Sequence, residues 1–131
     1  MLGPPNQGSE VVDVFGRLWL FGIINGPAGR ELGTSCDSIP NKLGPVTFPL
    51  GVIAGDCSIN WINSIFIPGP DDGKVSVERT KIAGMTDHIV LPSTHPFLMR
   101  NRMAIAQTLH FLRTGEFERI EPRLMPNNHA Q

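Results

Sequence analysis

The run Leu50-Gly51-Val52-Ile53-Ala54 is apolar at every position, with no polar alternation. A strand that reads this way has both faces covered, as in a parallel sheet flanked by helices. The pattern predicts a strand over Val46–Ala54 and a second, parallel one over His88-Ile89-Val90-Leu91, stopped at Pro92. The fold class that follows is α/β.

Other elements fit around these two. Met1-Leu2 reads as a strand stub that runs at once into the turn Gly3-Pro4-Pro5. Ser9 is placed to cap a helix with Glu10 and Asp13 in its first turn and Val11, Val12, Phe15 and Leu18 on one stripe. A short helical turn is expected over Ala28–Leu32, and a loop from Gly33 to Pro45. Ser76 is placed to cap a short helix through Lys81. The strongest helical pattern runs from Arg102 to Thr114, with Asn101 as N-cap, Gly115 just past the end, and Ile105, Leu109 and Leu112 repeating with Ala106 on one face.

At 131 residues the chain is the size of one domain. The expected organisation is a domain over residues 1–117 followed by a charged, proline-broken tail, 118–131, that frays. Eleven basic against twelve acidic residues leave a net charge of −1, so no net field exists to hold a nucleic acid. The apolar stretch over residues 18–24 is far too short for a membrane span, and no basic segment follows Met1; the compartment is not encoded. Cys36 and Cys57 stand apart without a second pair, which predicts two free thiols and neither a metal site nor a cofactor.

The element order has chemical content. In open α/β sheets, ligands and reacting groups gather in loops at the carboxyl ends of parallel strands. Here Asp72 follows the first strand and His95 follows the second, so both are expected at one edge. An acid and then a histidine on post-strand loops form the second half of a nucleophile, acid, histidine series. In such a series the carboxylate orients the imidazole, and the imidazole takes a proton from a hydroxyl. Asp71 competes with Asp72 for the acid role, and either can be turn chemistry in Pro-Asp-Asp-Gly. His88 reads as structural, His110 rides a helix, and His129 lies in the tail.

The serines are Ser9, Ser35, Ser38, Ser58, Ser64, Ser76 and Ser93, and none lies in Gly-x-Ser-x-Gly. The nearest pentapeptide, Gly33-Thr34-Ser35-Cys36-Asp37, lacks the strand before it and the helix after it that would expose a nucleophile.

Three segments resemble lipase-like bacterial α/β hydrolases, in the family's order. Met1-Leu2-Gly3-Pro4-Pro5-Asn6-Gln7-Gly8-Ser9-Glu10 is similar to the turn that follows their nucleophile helix. Asp71-Asp72-Gly73-Lys74-Val75-Ser76-Val77-Glu78 is similar to their acid loop. Asp87-His88-Ile89-Val90-Leu91-Pro92-Ser93-Thr94-His95 is similar to their last strand and histidine loop. The resemblance extends to about Phe117 and implies the C-terminal portion of an α/β-hydrolase fold, its parallel strands flanked by helices.

It further implies a carboxylic-ester hydrolase with Asp72 as triad acid and His95 as general base, acting on an ester or lipid-like substrate. The family's oxyanion turn and nucleophile elbow have no counterpart in this sequence, so the chain alone is expected to be inactive. A non-catalytic binding module, or one half of a split hydrolase completed by a partner chain, are the alternatives. The apolar stretch Ile59–Ile67, with Trp61, Ile62 and Phe66, is the candidate substrate wall, plain packing being the other reading. A sheet cut beside its central strand leaves an open edge at Met1-Leu2, and self-association through that edge is expected.

Overall fold

The architecture comes from a computed structural model that describes residues 1–15, 31–58, 67 and 69–119. Its centre is a small parallel sheet. Strand β1, Gly51–Gly55, pairs with β2, Asp87–Leu91, so that Gly51 faces Asp87 and Gly55 faces Leu91. Leu2 adds a parallel bridge to Ile53. The Ile53 amide donates to the Met1 carbonyl at 2.9 Å, and the Gly3 amide donates to the Ile53 carbonyl at 2.8 Å. Both polar groups of a strand residue point to one side, so the 1–3 segment lies across β1 from β2, and β1 is central.

Every residue of β1 is buried, as its unbroken apolar sequence requires. β2 is covered on one face: Ile89 and Leu91 face the core while Val90 is exposed. Ile53, Ile89, Leu91, Leu98, Ala104 and Phe117 form the core cluster. The ring of Phe111 packs on Phe117 with centroids 5.0 Å apart. A Cβ at Gly51 would lie within 2.8 Å of both rings, so this glycine lets the aromatic pair close onto the sheet.

The first strand is shorter than the predicted Val46–Ala54. Pro45 and Pro49 interrupt the ladder because proline has no amide hydrogen to donate. The Val46 amide goes to the Ala83 carbonyl at 2.8 Å, and the Leu50 amide to Thr86 Oγ1 at 3.0 Å.

Helix α1 spans Glu10–Phe15, α2 Ile39–Lys42, α3 His95–Leu98 and α4 Arg102–Thr114. α2 falls inside the predicted Gly33–Pro45 loop, and α3 occupies what reads as a loop around His95. Both are four-residue turns with proline in the first helical positions, where its fixed φ suits a helix start. A 3₁₀ turn at Glu78–Thr80 replaces the short helix expected through Lys81, and Ser76 Oγ accepts from the Arg79 amide at 3.4 Å. Leu18 and residues 28–30 of the second predicted helical turn lie outside the described residues.

α4 has its predicted bounds. Asn101 Oδ1 accepts from the Met103 and Ala104 amides at 2.9 and 3.4 Å, and Gly115 has φ +85°, the left-handed conformation that ends a helix. The face that carries its apolar repeat is not the one that packs. Ile105, Leu109 and Leu112 point outward, Leu112 being 75% exposed, while Ala104 and Gln107 are buried. The rings of Phe111 and Phe117 occupy the contact with the sheet, and Gln107 is drawn in by the chain leaving the helix. Its side-chain amide donates to the Glu118 carbonyl, and its side-chain oxygen accepts from the Glu118 amide, each at 2.9 Å.

Among the described residues no helix is long and apolar enough to cross a membrane.

Candidate active site

The acid loop is built by its own turn chemistry. Gly73 adopts φ +95°, which lets the chain reverse behind two aspartates. Asp71 Oδ1 accepts from the Gly73 amide at 2.7 Å. Asp72 Oδ1 accepts from the amides of Lys74 at 3.1 Å and Val75 at 3.0 Å. These bonds hold the Asp72 carboxylate in one orientation and leave Oδ2 directed elsewhere.

His95 meets that second oxygen. As the first residue of α3 it donates its amide to the Asp72 carbonyl at 2.9 Å, so the two loops are joined at the main chain. Its ring Nδ1 lies 2.7 Å from Asp72 Oδ2. An ionised carboxylate only accepts, so Nδ1 carries the hydrogen and the lone pair falls on Nε2. Among the described residues Nε2 has no hydrogen-bond partner. The Asp72 side chain is 0% exposed and the His95 side chain 29% exposed. A sealed carboxylate therefore orients a partly exposed imidazole.

The two predicted residues are thus in contact at the carboxyl edge of the sheet, and of the two adjacent aspartates it is Asp72 that engages the imidazole. The substrate-wall residues Trp61, Ile62 and Phe66 lie outside the described residues. No group of three or more His, Cys, Asp or Glu able to hold a metal ion occurs among the described residues. Cys36 and Cys57 are exposed free thiols.

Residues 3–10 brace the acid loop from below, a role with little sequence signal. Asn6 Nδ2 donates to the Thr80 carbonyl at 2.7 Å, and Gln7 Nε2 to the Lys81 carbonyl at 3.2 Å. Ser9 Oγ donates to the Lys74 carbonyl at 2.6 Å, so the hydroxyl expected to cap α1 serves the acid loop instead. Glu10 Oε1 pairs with Arg79 and accepts from Ser76 Oγ at 3.3 Å. A carboxylate in a first helical turn looks like dipole chemistry from sequence; nothing local announces a partner sixty-nine positions away.

His88 ties β2 to the same loop. Thr80 Oγ1 donates its one hydrogen to the Val77 carbonyl at 2.6 Å, so it accepts from His88 Nε2 at 2.9 Å. Burial, then the nearby Lys81 charge, pushes the His88 imidazole below its ordinary value and favours the neutral ring.

This arrangement of strands and loops has a solved counterpart. The chain is similar to the crystal structure of Bacillus licheniformis lipase BlEst2 in its mature form. The TM-score is 0.58 at 16% sequence identity, over 87% of this chain and 52% of that one. At that identity the likeness is one of fold: the chain has a distant lipase-like, α/β-hydrolase-like architecture and spans about half the length of the lipase. No family model and no curated protein sequence matches it.

Proposed function

We propose that this chain is the acid-and-histidine portion of a serine-dependent carboxylic-ester hydrolase. Asp72 is the triad acid and His95 the general base. The hydroxyl nucleophile and the oxyanion donors come from polypeptide outside these 131 residues. The observation that carries the reading is the 2.7 Å contact between a sealed carboxylate and a partly exposed imidazole on two loops at the carboxyl edge of parallel strands. The lipase-like fold and the order of the three sequence motifs support it.

The chemistry follows from the hydrogen bonds. Asp72 Oδ2 accepts from His95 Nδ1–H and keeps the Nε2 lone pair facing outward. As a serine hydroxyl adds to the ester carbonyl carbon, Nε2 takes its proton, and Asp72 stabilises the imidazolium. Collapse of the tetrahedral adduct breaks the bond to the leaving alkoxide, which receives the Nε2 proton and departs as the alcohol. Water then repeats both proton transfers and releases the carboxylic acid.

The test is turnover of a short-chain nitrophenyl ester. The 131-residue chain alone is expected to give none above background, because without a nucleophile and oxyanion donors the covalent route and several kcal/mol of charge stabilisation are missing. Supplied with a polypeptide bearing Gly-x-Ser-x-Gly, in tandem or in trans, it is expected to turn over, and His95→Ala is expected to abolish that turnover. Activity that survives His95→Ala refutes the assignment.

A further inference from the structure

The bond between Asp72 and His95 has a wall, and the wall is a glycine. Gly3 is buried at the end of the first strand segment, with φ +52°. A Cβ built on it would lie 3.0 Å from Asp72 Oδ2, 3.1 Å from His95 Nδ1 and 3.3 Å from His95 Cε1. The first two are the atoms that share the hydrogen. At the end of the adjacent strand Gly55 does the same for the stem, where a Cβ would lie 3.0 Å from Asp72 Cβ and 2.3 Å from the Ser93 carbonyl oxygen. Two side-chain-free strand ends thus form a slot for the pair.

Backbone conformation alone does not account for Gly3. Gly44 and Gly69 also have positive φ, +70° and +82°, yet a Cβ at either would meet nothing within 4 Å. We propose that Gly3 is a positioning residue for the Asp72–His95 couple, its bare Cα holding the imidazole against the carboxylate. If a methyl group is added there, one partner must yield. Asp72 is enclosed and tethered through Oδ1 to two amides, whereas the His95 ring is partly exposed. The ring therefore gives way by a few tenths of an ångström, and the hydrogen bond is stretched beyond 2.7 Å without loss of the fold. This inference rests on the reading of Asp72 and His95 as an acid–base couple and adds the element that sets their separation.

The experiment is NMR of the full 131-residue chain labelled with ¹⁵N at histidine. Wild type is expected to give a low-field Nδ1–H signal for His95 and the ¹⁵N signature of an Nδ1-protonated ring. In Gly3→Ala the low-field signal is expected to shift upfield as the bond lengthens, while Gly44→Ala, which bears the same kind of backbone strain in open space, leaves it in place. In the complemented hydrolase, kcat of Gly3→Ala is expected to fall with KM unchanged, by less than the roughly 10²-fold that a 1 Å misplacement brings. A folded Gly3→Ala that keeps the signal at its wild-type position overturns the proposal, and so does a Gly44→Ala that shifts it. Should Gly3→Ala not fold, the wild-type chain decides: an NOE from Gly3 Hα to His95 Hε1 supports the wall, and its absence overturns it. The NMR result stands whether or not esters are hydrolysed, so failure of this inference and failure of the hydrolase assignment are separable.

Discussion

Two carboxylates stand at opposite ends of the same small sheet and keep different company. Asp72, at the carboxyl edge, gives Oδ1 to two backbone amides and Oδ2 to an imidazole. Asp87, the first residue of β2, accepts from the Phe117 amide at 2.8 Å and from the His88 amide at 2.7 Å, and pairs with the Arg119 guanidinium. Their side chains are similarly enclosed, 0% and 11% exposed. What differs is the partner: Asp87 is held by two main-chain amides and a guanidinium, while Asp72 gives its second oxygen to a ring nitrogen of an imidazole. A cavity of about 490 Å³ opens beside Asp87, lined in part by Thr86, His110 and Glu116. That hollow lies at the end that stitches, and the carboxylate–imidazole contact is at the other.

The widest separation between the two ends is expected from the acids themselves. In the complemented hydrolase, Asp72→Asn should lower kcat about 10⁴-fold, the loss typical of a triad histidine deprived of its orienting acid. Steady-state kinetics on that enzyme and on Asp87→Asn would erase the distinction if the two fell alike.

Asp87→Ala should instead lower stability by roughly 1–3 kcal/mol, because it strands the Phe117 amide and releases Arg119. Urea unfolding reads that loss, and activity per folded molecule should be unchanged.

Asn101→Ala removes the cap of the helix that carries Phe111 toward the sheet and leads to Phe117, at a cost of about 1 kcal/mol. Amide exchange should quicken at Phe117 and leave the His95 Nδ1–H signal in place; a change at His95 would mean the two ends are coupled.

The smallest expected effect is a pH dependence at His88, which bridges the regions through Thr80. Its folded-state value is lowered, so the unfolded chain binds the proton more readily. Stability should therefore decline as pH drops below about 6.5, the value of a free imidazole, and level off below the folded-state value. His88→Gln should flatten that limb in thermal melts taken across the range.

The sequence made the polar ends of this fold easier to read than its packing. Asp72 and Gly73 announce a turn, and His95 follows a recognisable strand, so their meeting needed only the rule that parallel strands present their loops at one edge. The bounds of α4 were legible because Asn101 and Gly115 act through their own backbone. Which face of α4 turns inward was not, since Ile105, Leu109 and Leu112 form the better stripe. The choice was made at a distance, by Gly51 leaving room for Phe111 and Phe117 and by Gln107 bonding the chain beyond the helix. The same holds for Glu10 and Arg79, an ion pair between segments that share no local pattern, and for Gly3, whose neighbours are known only once the strands are in register.

The amide of His95 donating to the carbonyl of Asp72 has an implication for redesign. That link is indifferent to what the two residues carry, so their Cα atoms stay aligned under any pair of substituents that the slot tolerates. A library randomised at these two positions would inherit a pre-aimed scaffold, and selection could spend its diversity on new reactivity rather than on rebuilding the loops.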